Sequence, residues 1–315
     1  MAATFAATNA VTTSNADAFI PEIWSDEIVA AYKKNLVAAN VIKKMSHRGK
    51  KGDTVHIPSP TRGSASAKTA ANAVTLIANT DTDIPVYINK HYEYSRLIED
   101  IVATQALNSL RSFYTEDAGY ALAKQIDSDI IQLGRTVNSG AGARYAGAFI
   151  GSDGTTAYDY TTDNQAALTD AAIRRTIQRL DDVDTPMDGR FFIIPPSSRN
   201  TLMGLSRYTE QAFVGEAGQG NTIRNGEVGS LYGVSVFVSS NADTPNDAND
   251  GSGTAQPARV CLMGHRDAFV LVEQMGIRSQ TQYQQQFLAN LFTADTLYGV
   301  AELRDDGAVA LVVPA

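Results

Sequence analysis

Four histidines, one cysteine and a run of aspartates are the residues of this chain most able to do chemistry. His47, His56, His91 and His265 are scattered. None has the HExxH or paired spacing that would put two imidazoles on one metal ion. His265 sits in Gly264-His-Arg-Asp267, which invites a Ser-His-Asp scheme. No GxSxG elbow is present to hold a serine at a strained, exposed turn, so a turn or interface histidine is the simpler reading. Cys261 is the one cysteine, which rules out an intrachain disulfide and an ordinary thiolate zinc site. Asp181, Asp182, Asp184 and Asp188 miss the calcium-loop spacing and read as the solvated end of a helix. Gly215-Glu-Ala-Gly218-Gln-Gly220 lacks the Gly-Lys-Ser/Thr ending of a phosphate loop and reads as a mobile loop. No active site or cofactor site assembles from these residues.

Composition leans toward a surface used in contacts. Of 315 residues 19% are charged and 43% hydrophobic, with Ala, Thr, Asn and Ser abundant, as suits a surface that ends up in contacts. The net charge of −8 argues against sequence-specific duplex binding, which needs a basic footprint for the phosphates. It suits instead an inner wall that repels packaged nucleic acid. No window approaches eighteen apolar residues, and the Met1-Ala-Ala-Thr-Phe start lacks a signal peptide's features. A soluble protein made in a reducing cytoplasm is expected, with no membrane partner.

The elements are more informative than any residue cluster. Residues 1–18 are small, polar and aperiodic, an arm in need of a partner. A helix is expected from Pro21 through Tyr32 and Leu36 to about Lys44. The basic cluster Lys43, Lys44, His47, Arg48, Lys50 and Lys51 follows, either a solvated turn or a contact to an acidic neighbouring subunit. Alternation predicts a strand over 53–59 and a return strand over 83–95. Between them runs a polar tract holding Arg62 and Lys68. A two-stranded ribbon of this length needs a surface to lie upon.

A helical pattern without proline then extends from about Ile98 to Val137. Its stripe is Leu107, Leu110, Tyr114, Ala118, Leu122, Ile126, Ile130, Leu133 and Val137. Such a helix would span roughly 60 Å, more than the roughly 50 Å diameter of a compact globule of this length. That suits a subunit completed by neighbours. Residues 138–166 form a long loop. A capped helix begins at Thr169-Asp170, a buried strand covers 190–195, another helix opens at Pro196, and a strand covers 231–238. Residues 207–230 and 241–256 read as loops. Residues 258–272 read as strand with an interruption at 264–267. From Met275 the chain reads as extended, closing in a hairpin about Asp305-Asp306-Gly307. Helices and strands cluster separately, which is an α+β order. Tyr92, Tyr94, Tyr283 and Tyr298 read as core or subunit contacts.

The sequence of parts resembles the Hong Kong 97 fold of tailed-phage major capsid proteins, over essentially the whole chain. Four runs support the likeness. Phe19-Ile-Pro-Glu-Ile-Trp-Ser-Asp-Glu-Ile28 resembles the family's arm, and Gly49-Lys-Lys-Gly-Asp-Thr-Val-His-Ile-Pro58 the approach to its extended loop. Gly229-Ser-Leu-Tyr-Gly-Val-Ser-Val-Phe-Val-Ser-Ser-Asn241 resembles its G-x-L-x-G-x-x-V strand, and Gly264-His-Arg-Asp-Ala-Phe269 its return strand.

The resemblance implies an N-terminal arm (1–50), an extended β-hairpin loop (51–96), a spine helix opening the peripheral domain (97–165), an axial domain (166–275) and peripheral C-terminal strands (276–315). It implies a non-enzymatic coat protein, made in the bacterial host cytoplasm, that closes as hexamers and pentamers into the icosahedral shell of a virion. Implied partners are further copies of itself, a scaffolding protein, a portal at one vertex, a decoration protein, and double-stranded DNA without sequence-specific contacts. No cofactor is implied. A start at Met1 without a scaffolding segment looks like short-tailed podovirus coats. The family's lysine–asparagine crosslink cannot be placed, and Lys68 is no sign of it. Inter-subunit contacts are expected at Lys43, Lys44, Arg48, Arg62, Lys68, Asp305 and Asp306. Two alternatives stand beside this reading: an encapsulin nanocompartment of the same fold, and a hydrolase using His265.

Overall fold

The computed structural model describes residues 37–59, 63–70, 73–74, 76, 82–100, 109–138, 145–159, 164–205, 229–245 and 257–315. Its helices are α1 (Ala38–Val41), α2 (Ser109–Gln132), α3 (Asp170–Asp182) and α4 (Pro196–Met203). The first seven strands are β1 (Lys43–Ser46), β2 (Thr54–Ser59), β3 (Thr82–Tyr87), β4 (Lys90–Glu99), β5 (Phe149–Ile150), β6 (Arg190–Ile194) and β7 (Ser230–Leu231). The remaining five are β8 (Val234–Val238), β9 (Ala258–His265), β10 (Phe269–Gln284), β11 (Ala289–Glu302) and β12 (Ala308–Pro314). They form a four-stranded sheet in the order β1-β10-β11-β4, a six-stranded sheet in the order β5-β12-β9-β6-β8-β7, and the separate ribbon β2-β3.

The long helix α2 joins the two large sheets. Ala118, Leu122, Ile126 and Ile130 recur every four residues and are all buried, as the stripe predicts. The first two pack with Phe292 and Ala294 of β11. The last two, with Ile131, meet Phe191, Leu262, Phe269 and Tyr298 from both sheets. Its approach is partly described, since residues 101–108 fall outside the described residues. Ile98 and Glu99 are still strand, paired with Asn290 and Ala289. Leu133–Arg135 tightens to a 3-10 turn. The 24 described residues of α2 alone span about 36 Å. Of the stripe, Leu107 falls outside the described residues.

The six-stranded sheet is covered by α3 and α4. Thr169 caps α3 as expected, its hydroxyl accepting from the Ala172 N–H at 3.3 Å, with Asp170 in the positively polarised first turn. Pro196 opens α4, where no N–H partner is required. Ile173, Leu180 and Leu202 from these helices pack on Phe192, Ile194, Met263 and Leu311. The Arg190–Ile194 strand is buried throughout, flanked by β8 in parallel and β9 in antiparallel.

Four expectations are corrected. Lys43 and Lys44 lie in β1, parallel to β10, and not at a helix end. The return strand over 83–95 is two strands in two sheets: β3 pairs with β2, and β4 pairs with β11. The break follows burial, because Val86 and Ile88 sink against Val270 and Val272 and turn the chain. The strand over 231–238 contains a tight turn at Tyr232-Gly233, both at positive φ (51° and 80°), as a two-residue hairpin requires. Finally, the turn at 305–307 does not close a hairpin. β12 leaves β11 and inserts between β9 and β5. Its first six residues, Ala-Val-Ala-Leu-Val-Val, are buried. A run with no polar face belongs in a sheet covered on both sides. The hairpin that does form joins β10 and β11 through 285–288.

Candidate intersubunit surfaces

Enzymatic chemistry finds no footing at His265 or Cys261. His265 donates from Nε2 to the Asp188 carbonyl at 2.8 Å and accepts at Nδ1 from the Asp267 N–H at 3.2 Å. Both nitrogens are spent on holding turns, so none is left to take a serine proton. Cys261 is fully buried and its thiol is pushed up to about 12 by desolvation, which keeps it un-ionised and inert. Among the described residues no group of three or more His, Cys, Asp or Glu could hold a metal ion, and no helix is long and apolar enough to cross a membrane.

The expected contact residues divide by setting. Lys43 and Lys44 are exposed on β1, at one edge of the four-stranded sheet, and Lys50 and Lys51 are exposed in the turn that follows. Arg48 lies in that turn and reaches back to Glu273 of its own chain at 2.8 Å. Lys68 lies in the segment between β2 and β3 and donates to the neighbouring Thr69 carbonyl at 2.7 Å. Arg62 falls outside the described residues. Asp305 accepts from the Asn138 N–H, and Asp306 lies 3.3 Å from Arg304. The structure thus places Lys43 and Lys44 on β1 and Arg48 in the turn after it, and engages Arg48, Asp305 and Asp306 with their own chain.

Several buried polar groups escaped sequence reading. Asp127 on α2 is wholly buried. One oxygen accepts from the Val37 and Ala38 N–H groups at 3.0 and 2.7 Å, and the other accepts from Asn241 at 3.0 Å. Asp129 accepts from Tyr298 at 2.7 Å and Gln125 at 3.0 Å and lies 3.1 Å from Lys90. Burial and this carboxylate hold the Tyr298 hydroxyl well above its ordinary range. Arg135 grips Asp243 through two nitrogens, and Tyr145 donates to the same carboxylate. Little local marks these aspartates, because Asp127 and Asp243 find their partners about 90 to 114 residues away and Tyr298 lies 169 residues from Asp129.

The ribbon β2-β3 is the most conspicuous surface. Its base is anchored where Val86 and Ile88 pack beneath Val270 and Val272, with Val55 and Ile57 against them. Pro58 and Pro85 remove N–H donors from both strands, so neither edge suits continuous strand addition. His56 contacts Asp83 across the ribbon. Beyond its end, every described residue from 63 to 76 is exposed, including Val74 at 68% and Leu76 at 87%. Apolar groups held out in this way have no cover from the described part of their own chain.

Comparison with known proteins gives this geometry a family. A family model described as phage capsid protein matches residues 96–309, most of the chain. No match to the chain is found among curated protein sequences. Among solved structures, a chain of Mycobacterium phage Che8 matches with TM-score 0.70 and 22% identity, covering 93% of this chain and 97% of that one. The capsid structure of cyanophage P-SCSP1u matches with TM-score 0.75 and 17% identity, covering 99% of each. The mature capsid of bacteriophage PhiM1 matches with TM-score 0.68 and 15% identity, over 93% and 92%. These likenesses extend over nearly the full length and establish the Hong Kong 97 fold, with the α+β order read from the sequence. The spine helix, the ribbon and the two sheets are therefore those of a non-enzymatic shell protein of the virion, and the chain belongs to the phage capsid protein family.

Proposed function

We propose that this chain is the major coat protein of a tailed phage, closing as hexamers and pentamers into an icosahedral head around double-stranded DNA. The observation that supports it most is the ribbon, anchored at its base and bare beyond. Laid across an adjacent subunit, it would bury apolar groups that its own chain leaves in water. Obligate interfaces of this kind run to several thousand Å². The four-stranded sheet with α2 would form the peripheral domain. The six-stranded sheet with α3 and α4 would form the axial domain, to which β12 returns.

Lys43, Lys44, Arg62 and Lys68 would face acidic groups next door. Exposed pairs of that kind contribute about 0 to 1 kcal/mol each, so they set register more than strength. Arg48, Asp305 and Asp306 would exchange their present partners for such contacts only at a cost. The net charge of −8 would let the genome slide along the inner wall during packaging. A scaffolding protein, a portal at one vertex and a decoration protein complete the proposal, in the manner of short-tailed podovirus heads.

The test is to express the chain with and without the scaffolding protein of its genome, then size the product by gradient and negative-stain microscopy. Closed shells of uniform diameter are expected. A monomer or small oligomer under both conditions would overturn the proposal, and shells found to enclose protein cargo would favour the encapsulin alternative.

A further inference from the structure

Among the described residues, the distal half of β10 is an unpaired sheet edge. β1 pairs with β10 only along Val270–Glu273. The turn after β1 extends that cover a little, through Gln274 to the Lys50 and Gly52 carbonyls and through Arg48 against Gly276. From Ile277 to Gln284, no described strand pairs on the side away from β11. Natural sheets blunt free edges with charge, proline, bulges or shortness, since an open ladder recruits other chains. The other edges use these devices. β1 has Lys43 and Lys44; β4 has Lys90, His91, Glu93, Arg96 and Glu99; β2 and β3 have Pro58 and Pro85. β5 and β7 are two residues long. The β10 edge has none from Ser279 onward. Its register shifts end before Arg278, and the sixteen residues Ser279 to Ala294 include no charged side chain.

We propose that residues 280–284 of β10 pair antiparallel with the same segment of a second copy of this chain, about a two-fold axis at Gln282. The side chains name the partner. Arg278 opposes Asp295, gripping it at 2.7 and 2.9 Å, so Gln280, Gln282 and Gln284 share that face of the pleat. With the axis at Gln282, Gln280 of one copy opposes Gln284 of the other, and Gln282 opposes itself. Each primary amide both donates and accepts, so a glutamine ladder is complementary to its own copy. On the other face Thr281 opposes Tyr283. The uncharged run also lets two subunits of net charge −8 approach where repulsion is least. A two-fold contact of one patch with itself closes as a dimer and does not propagate. This pairing goes beyond the shell assignment and stands without it.

The test is disulfide trapping in the full chain, in shells and in concentrated free subunits, with Cys261 buried and so a quiet background. In the proposed register, Gln282→Cys meets its own copy at bridging distance. A Gln284→Cys thiol lies about 13 Å from its own copy, four residues along. Under mild oxidation Gln282→Cys is expected to give about tenfold more covalent dimer than Gln280→Cys or Gln284→Cys alone, with the Gln280→Cys/Gln284→Cys double variant restoring it. Equal yields from all three single variants, or none, would overturn the pairing. So would slow hydrogen exchange over 280–284 in shells without trapping at Gln282→Cys, which would mean another strand occupies the edge. Shells without trapped dimer would leave the coat-protein proposal standing, whereas trapped dimer without shells would do the reverse.

Discussion

At the scale of single residues, the polar groups that hold this chain together are buried and non-local. Asp127 terminates two backbone N–H groups at the start of α1 and one amide from Asn241, tying two distant segments to α2. Removing it strands two buried N–H donors and a half-buried amide. Asp127→Ala is expected to destabilise the subunit by about 3 kcal/mol, and Asp127→Asn by less because one acceptor oxygen remains. Chemical unfolding of both variants checks the order. Glu302 works through protonation. Burial raises its carboxyl to about 7, against a bond from the Thr136 hydroxyl and with the nearby Asp305 pushing the same way as burial. A carboxyl whose folded value lies above its ordinary 4.5 binds more protons folded than unfolded. Its stabilising effect is full below about 4.5 and is lost as pH rises through about 7. Glu302→Gln should therefore melt above the wild type at pH 8 and lose that advantage in acid. A constant difference across the range would contradict this. None of these groups was legible in the sequence. An aspartate on a helix looks the same whether it faces water or three donors.

Elements were more readable where a period or a cap marks them. The buried stripe of α2, the Thr169 cap and the proline opening α4 all follow from local pattern. The run of β4 up to Glu99 did not, because Arg96, Leu97 and Ile98 suit strand and helix alike, and their pairing with β11 decides the matter. The fate of β12 was also hidden. A turn rich in Asp and Gly marks a change of direction but not the sheet to which the chain returns. Within α2, Gly119 is a local weakness with a clear test. A Cβ added there meets no atom within 4 Å. Gly119→Ala should stabilise the subunit by about 0.5 to 1 kcal/mol, as read by thermal unfolding. If α2 must bend at Gly119 when shells close, the same variant will assemble more slowly.

At the scale of the whole molecule, the order of parts was the most legible property. An arm, a polar ribbon, a long helix, a mixed unit and late strands together specify a shell protein more firmly than any one residue specifies chemistry. Contacts between copies were the least legible, because a surface lysine reads alike whether it meets water or a neighbour. Arg48 illustrates this, since it pairs with Glu273 at home. The physical claim at this scale is that the subunit is unfinished alone. Val74 and Leu76 are bare, and Phe287 and Leu288 stand exposed at the far turn of β10 and β11. Burying such groups is worth about 25 cal/mol per Å² of apolar surface, which favours association over isolation. The most direct measurement is a cryo-electron microscopy reconstruction of particles formed by the full-length chain. The expected density shows the β2-β3 ribbon of each subunit lying across its neighbour, with residues 63–76 covered. A ribbon folded back on its own subunit, or left in solvent in a closed particle, would contradict the account.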